Sequence, residues 1–265
     1  MSDDFDLSLI LPAYNERATI ATTINQAFAY FASRSIHAQI IVAADGNDGT
    51  RELVREKAEC NPYLQVIGHR ERSGKGRGVR EAVALARGRV IGYADADNKV
   101  PLEDFDKIRP WLAEGYHVVT GSRRSDQSEI ERQQPLYRRA GSKGFYYFMQ
   151  AVVGLPGVTD SQCGFKFFQR EAALRVFGLQ RIDGYMFDVE ILALVHRLGY
   201  RIKEVPIRWH DDADSRLELI AGNLRNVRDI FRIRQYIRHL QPASSAAAEG
   251  AGAGRQSLPS HSWKG

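Results

Sequence analysis

The 265-residue chain is poor in cysteine: it has two, Cys60 and Cys163, far apart and in no metal-type spacing. That argues against a disulfide framework and fits a reducing compartment. No apolar run approaches the roughly 18 residues that a membrane-spanning helix needs. The opening, MSDDFDLSLILPAYNE, is acidic ahead of its apolar run. It lacks the basic flank and small-residue cleavage site of a secretory signal. There is no internal repeat. These absences leave a cytoplasmic or membrane-peripheral protein as the expectation.

What is present supports a sizeable globular core. Hydrophobic residues make up 43% of the chain, enough at this length for one large α/β domain. The net charge is +5, from 37 basic and 32 acidic residues, and the excess is uneven. Residues 1–60 carry no basic excess, whereas Arg123–Arg139 and Arg216–Arg238 are rich in arginine. Such stretches are either solvated basic faces or surfaces for nucleic acid, phosphate groups or anionic lipid.

Apolar periodicity divides the first half into alternating elements. Strands are expected at Leu7–Leu11, Gln39–Ala44, Leu64–Ile67, Val90–Ala94 and His117–Thr120. Helices are expected from Thr19 to about Ser33 and at Thr50–Glu59, Gly76–Ala86 and Leu102–Glu114. The alternation implies a mostly parallel, Rossmann-like α/β sheet flanked by helices, with ligands beyond the carboxyl ends of the strands. Those ends carry Tyr14-Asn15-Glu16, Asp45-Gly46-Asn47, Asp95-Ala96-Asp97 and Gly121-Ser122-Arg123. In the second half, Tyr137–Val153, Met186–Leu198 and Leu217 to about Leu240 read as helices, and Gly164–Gln169 and Arg201–Trp209 as strands. Beyond residue 240 the chain turns to Ala, Gly and Ser, so 1–240 is expected to be the folded domain and 241–265 a disordered tail.

Three constellations carry chemistry. Asp95 and Asp97, one residue apart at a strand end, suit a hard divalent cation shared with a diphosphate; Mg2+ and Mn2+ both accept such oxygen ligands. The Asp45-Gly46-Asn47-Asp48 turn offers carboxylates either to a nucleoside or as a cap for the helix at Thr50. Gly74-Lys75-Gly76-Arg77-Gly78 opens a helix but fits neither a dinucleotide fingerprint nor a P-loop, since no Ser or Thr follows the Gly-Lys pair. It is either a flexible lead-in or a basic loop that touches phosphate through its N–H groups and Lys75.

Taken in order, these residues resemble the glycosyltransferases of family 2. Leu11-Pro12-Ala13-Tyr14-Asn15-Glu16 is similar to that family's opening motif. The Asp45 turn, the Gly74–Gly78 loop, the Asp95/Asp97 pair and Gly121-Ser122-Arg123 follow in the family's order. The narrower run is Asp160-Ser161-Gln162-Cys163-Gly164-Phe165-Lys166, then Phe187-Asp188-Val189-Glu190 and Glu204 to Trp209. It resembles the branch acting on dolichyl phosphate, glucosyltransferases first and mannose synthases next.

The resemblance implies a GT-A fold with a C-terminal amphipathic helix, and inverting transfer from a nucleotide-sugar donor to a polyprenyl phosphate. UDP-glucose is the favoured donor and GDP-mannose the second. Pro12, Tyr14, Glu16, Asp45 and Lys75 would hold the nucleotide, and Asp95 and Asp97 the Mg2+ or Mn2+. Arg123, Arg138, Ser142 and Arg216 would receive the acceptor phosphate, while Asp188 and Glu190 would lie near the sugar. Nucleic acid is not an expected partner. Two departures stand out: Lys99 replaces the Gln that mannose synthases carry near the metal, and no counterpart of the N-terminal membrane anchor of the eukaryotic glucosyltransferases is expected from these residues. Contact at the cytoplasmic face of a membrane is therefore expected through the surface, from Arg138–Val153 and from Leu224–Leu240 with its arginines and helically spaced apolar residues. Two other readings remain: a transferase making a soluble glycoside or polysaccharide with Asp188 as general base, and a non-catalytic membrane module.

Overall fold

The computed structural model describes residues 5–124, 146–209 and 221–241, and Gly144. Its centre is a seven-stranded sheet in the order β3-β2-β1-β4-β6-β5-β7. The strands are β1 (Phe5–Tyr14), β2 (Ala38–Asp45), β3 (Leu64–Ile67), β4 (Gly88–Ala94), β5 (Val118–Ser122), β6 (Phe165–Gln169) and β7 (Ile202–Pro206). All pairings are parallel except those of β6, which runs against both β4 and β5. The helices are α1 (Ile20–Ser33), α2 (Thr50–Glu59), α3 (Lys75–Leu85), α4 (Phe105–Ala113), α5 (146–152), α6 (Arg170–Leu179), α7 (Phe187–Arg197) and α8 (Ala221–His239).

The central strands are continuously apolar because helices cover both sheet faces. Alternate residues feed separate cores. Leu7, Leu9, Leu11, Ile40 and Val42 join α1, α2 and α4 on one face. Ile10, Ile41 and Ile91 join α3, α6, α7 and α8 on the other. Each fully buried Leu, Ile or Phe stabilises the fold by about 1.5–3 kcal/mol relative to exposure.

Several elements differ from their sequence patterns. The β1 strand runs to Tyr14 rather than stopping at Leu11. Pro12 is tolerated there because pairing with β4 ends at Ile10↔Tyr93, while pairing with β2 continues to Tyr14↔Asp45. That divergence opens a crevice between the carboxyl ends of β1 and β4, where such sheets bind ligands. The expected helix Leu102–Glu114 divides into a 3-10 turn, Leu102–Asp104, and α4. The sequence reading left α6 unassigned, although Ala172, Ala173, Val176 and Phe177 mark its buried face. The expected helix Tyr137–Val153 is described only in part, and the tail beyond 241 lies outside the described residues.

Candidate active site

The turns after β1 and β2 interlock. Asn15 takes a positive φ, and its Oδ1 accepts from Asn47 N at 3.3 Å. Asp48, not Asp45, serves the α2 N-terminus, accepting Thr50 N at 3.0 Å. Asp45 instead fastens the β3–α3 loop: Oδ1 accepts His69 N at 3.0 Å, and Oδ2 accepts Ser73 N and Oγ, each at 2.7 Å. The fastened loop places the Arg72 guanidinium 4.6 Å from the Tyr14 ring centre. Glu16 donates its N–H to Thr50 Oγ1 at 3.0 Å and accepts from Thr19 Oγ1. Tyr14 and Asp45 thus pair at the carboxyl ends of β1 and β2, with Glu16 in the turn that follows.

Asp95 and Asp97 follow β4. Lys75 Nζ lies 2.6 Å from Asp95 Oδ1, and Lys99 Nζ lies 3.6 Å from Asp97 Oδ2. Burial, then the Asp95 charge, hold the Asp97 carboxyl above its ordinary value. A cation relieves that repulsion, and two carboxylates with oxygen donors from a diphosphate suit Mg2+ or Mn2+. Among the described residues no third His, Cys, Asp or Glu completes a protein-only metal cage, so the donor set fits a metal shared with substrate.

The glycines around Lys75 set a rigid approach. A β-carbon on Gly74 would meet Asp183 O at 2.3 Å, and one on Gly76 would meet Phe187 Cβ at 2.5 Å. The α3 N-terminus is therefore pressed against the start of α7, which fixes Lys75 rather than leaving it flexible. Burial works to lower the Lys75 pKa, but Asp95 and Asp188 outweigh it and hold it raised.

Beneath Lys75 the charges alternate into the core. Asp188 is 2% exposed and Lys166 fully buried. Lys166 Nζ donates to Asp188 Oδ1 at 2.6 Å and to Cys163 O at 2.5 Å, and the Tyr93 hydroxyl donates to the same Asp188 oxygen. Asp188 therefore supports the site from below. Glu190 accepts Arg181 N and Ile182 N, closing the loop before α7.

Arg123 directly follows β5. Its Nε and Nη2 donate to Asp160 Oδ2 and Oδ1 at 2.7 and 2.8 Å. Burial pushes the Asp160 carboxyl up, but Arg123 overrides it and the pKa falls to about 2. Glu204 on β7 accepts Thr159 N at 2.9 Å and Asp160 N at 2.8 Å, holding the loop that carries Asp160. Arg138, Ser142 and Arg216 lie outside the described residues.

Sequence reasoning assigned no role to Asp160 or Glu204, although both stand in the quoted motifs. It missed Tyr185 altogether. Burial raises the Tyr185 hydroxyl pKa; Lys75 and Arg123 lower it, and Asp95 and Asp188 raise it. That hydroxyl thus sits within electrostatic reach of both halves of the site, and no periodicity or motif marks it.

A mostly parallel sheet with an Asp-X-Asp pair at the central crevice and an antiparallel β6 defines a Rossmann-like GT-A fold. Solved structures share it: glucosyl-3-phosphoglycerate synthase from Mycobacterium tuberculosis, in complex with UDP, matches with a TM-score of 0.62 and 20% identity over 87% of this chain and 80% of that one. Mannosyl-3-phosphoglycerate synthase from Rubrobacter xylanophilus matches with a TM-score of 0.58 and 18% identity over 88% and 72%. The chain belongs to glycosyl transferase family 2, whose family model matches residues 8–177. It is 31% identical to a dolichyl-phosphate beta-glucosyltransferase of Dictyostelium discoideum over 88% of this chain and 75% of the relative. It is likewise 31% identical to that of Mus musculus, over 86% and 74%.

Proposed function

We propose that this family 2 member is an inverting transferase that moves glucose from UDP-glucose to a polyprenyl phosphate of the dolichyl type. GDP-mannose is the second candidate donor. The observation that carries the reading is the Arg123–Asp160 clamp at the carboxyl end of β5, on the same sheet whose β4 leads into the Asp95/Asp97 pair. A guanidinium has five N–H donors. Asp160 engages one on Nε and one on Nη2, so the remaining three can receive a phosphate. The names of the dolichyl-phosphate relatives support the acceptor class.

Tyr14, Glu16, Asp45 and the loop that Asp45 fastens hold the nucleoside over Pro12. Asp95 and Asp97 would hold a divalent cation; a neighbouring synthase was solved in complex with Mn2+ and UDP-glucose, and such an ion supplies neutralisation of the leaving diphosphate. Lys75 adds a fixed cation beside the same carboxylates. Arg123, with Arg138, Ser142 and Arg216, orients the acceptor phosphate for in-line attack on the anomeric carbon. A phosphate monoester, with a second pKa of about 6, is already largely dianionic at neutral pH and needs no general base. The burial of Asp188 agrees with that economy.

Residues 1–240 would form the catalytic domain and 241–265 a tail. A long prenyl chain stays in the bilayer, so the protein must meet a membrane, at its cytoplasmic face in this reading. No helix among the described residues is long and apolar enough to cross one. The exposed Leu224, Val227 and Phe231 on α8 support surface contact.

The test is incubation of the full chain and Mn2+ with UDP-glucose or GDP-mannose, and with farnesyl phosphate, 3-phosphoglycerate or a soluble sugar. A glucosyl prenyl phosphate is the expected product. Transfer confined to phosphoglycerate or the sugar would overturn the reading, as would no turnover at all.

A further inference from the structure

The residue beside Arg123 is as firmly placed as the arginine. Ile207 is fully buried and donates its N–H to Ser122 O at 3.1 Å. Arg208 N and Nε donate to Asp104 at 2.6 and 2.8 Å, and Asp104 is itself buried. These two anchors deliver the next residue, Trp209, to a point where its ring centre lies 5.4 Å from the Arg123 guanidinium carbon. The indole remains partly exposed. A motif residue held this rigidly, but not buried, leaves apolar surface next to an anion-receiving edge. The adjacent position repeats the pairing, with the Arg124 guanidinium 5.6 Å from the Tyr146 ring and Tyr147 well exposed beyond it.

We propose that Trp209 is a specificity-determining residue of the acceptor site: its indole carries the first apolar segment of a phosphorylated lipid alcohol whose phosphate docks on the outward N–H groups of Arg123. The inference rests on the function proposed above and deepens it. Cation and indole together make an amphiphilic seat, since the ring attracts the guanidinium while offering apolar area to a neighbouring chain. A wholly polar phosphate ester gains only the arginine half of that seat. Asp160, Glu204 and Asp104 are positioning residues, acting through Arg123 and Trp209.

The experiment compares wild type with Trp209→Ala and Trp209→Phe, using geranyl, farnesyl and geranylgeranyl phosphate. Trp209→Ala is expected to raise the KM for farnesyl phosphate about tenfold, equivalent to about 1.4 kcal/mol, with kcat little changed and the affinity for UDP unaltered in calorimetry. Trp209→Phe should restore most of the KM. Farnesyl phosphate should quench the intrinsic fluorescence of wild type but not of the active Trp209→Phe variant. An unchanged KM in both variants, an equal loss of UDP affinity, or quenching that persists in Trp209→Phe would overturn the inference while leaving the transferase reading intact. Wild type inactive on every prenyl phosphate would overturn that reading, and the role of Trp209 with it.

Discussion

Gly164 lies directly against the carboxylate of Asp95: a β-carbon on Gly164 would stand 2.1 Å from Asp95 Oδ2 and 2.3 Å from its Cγ. Asp95 N also donates to Gly164 O at 3.0 Å. Antiparallel β6 thus presses a glycine onto the end of β4 and sets where the Asp95 side chain stands. Gly164→Ala must displace Asp95 and its contact with Lys75. Overpacking of this kind costs about 1–3 kcal/mol. The expected outcome is a folded protein with a modestly lower Tm and a kcat reduced about a hundredfold, the loss that accompanies about 2.7 kcal/mol of transition-state stabilisation. Unaltered kcat in a correctly folded variant would remove Asp95 from the chemistry.

Asp97 is poised the other way. Burial and Asp95 hold its carboxyl above the ordinary range, so its ionised form is a cost to the folded protein without metal. Asp97→Asn should raise metal-free stability at neutral pH while reducing transfer by about a hundredfold or more, comparable to losing one electrostatic stabiliser in an active site. The sign follows from the raised value. Relative stabilisation of the variant is full above the folded pKa and vanishes as pH falls below the ordinary carboxylate value, where wild type is protonated folded or unfolded. Thermal melts of both proteins across that pH range, together with a transfer assay, check this.

Most of the sheet was legible because buried parallel strands leave short apolar runs and their ends carry polar turns. Helix α2 and strand β3 fall at the expected residues, Thr50–Glu59 and Leu64–Ile67. The antiparallel sense of β6 was not legible: Phe165, Phe167 and Phe168 show burial, not direction. At the site, the sequence marked Asp95 and Asp97 by their spacing. It could not show that Asp188 points into the core, because a carboxylate beside Phe187 looks the same whether it meets solvent or Lys166. The tie between Asp160 and Arg123 spans 37 positions, beyond the reach of any local pattern.

The Lys166–Asp188 pair offers a test of that structural role. Both side chains are buried, at 2.6 Å. Asp188→Asn leaves Lys166 charged without its counterion, and breaking a buried pair costs about 3–5 kcal/mol. The double variant Lys166→Met/Asp188→Leu should recover most of that loss in denaturant melts. If Asp188 only supports the site, the folded double variant keeps transfer to a prenyl phosphate within about tenfold of wild type. Loss of all turnover with the fold and UDP binding intact would instead return Asp188 to the role of general base.

Asp160 predicts an acid limit. Its pKa is depressed to about 2, with Arg123 overriding the opposing effect of burial. A depressed carboxylate contributes stability that is present above the unfolded value, about 3.9, and lost as pH falls through about 2. Asp160→Asn should therefore be less stable than wild type by about 2 kcal/mol at neutral pH, with the gap closing between about pH 4 and pH 2. It should also raise the KM for prenyl phosphate, since Arg123 loses its clamp. A gap that stays constant through the acid range would show that the pair contributes no such linkage.

The α8 helix divides its apolar residues between two faces. Ile230 and Ile233 are buried, and Tyr236, Ile237 and Leu240 pack against the same core. Ile230, Ile237 and Leu240 thus belong to the core rather than to an outer apolar face. Leu224, Val227 and Phe231 are exposed at helical spacing, and Phe231 lies 6.2 Å from the Phe148 ring of α5. Arg225, Arg228 and Arg232 are exposed alongside this stripe. An apolar stripe edged by arginines suits the interface of an anionic bilayer, where each basic residue contributes about 1 kcal/mol. Wild type should sediment with phosphatidylserine-containing vesicles and much less with neutral ones. Replacing Arg225, Arg228 and Arg232 by Glu should lower anionic-vesicle affinity by about a hundredfold, corresponding to three such contributions. Phe231→Ser with Leu224→Ser should weaken binding to both vesicle types. Because these side chains face outward, the variants should keep the wild-type Tm and transfer to detergent-dispersed farnesyl phosphate. Vesicle binding that is absent in wild type, or unchanged in the arginine variant, would mean that α8 is a structural helix and the acceptor reaches the site by another surface.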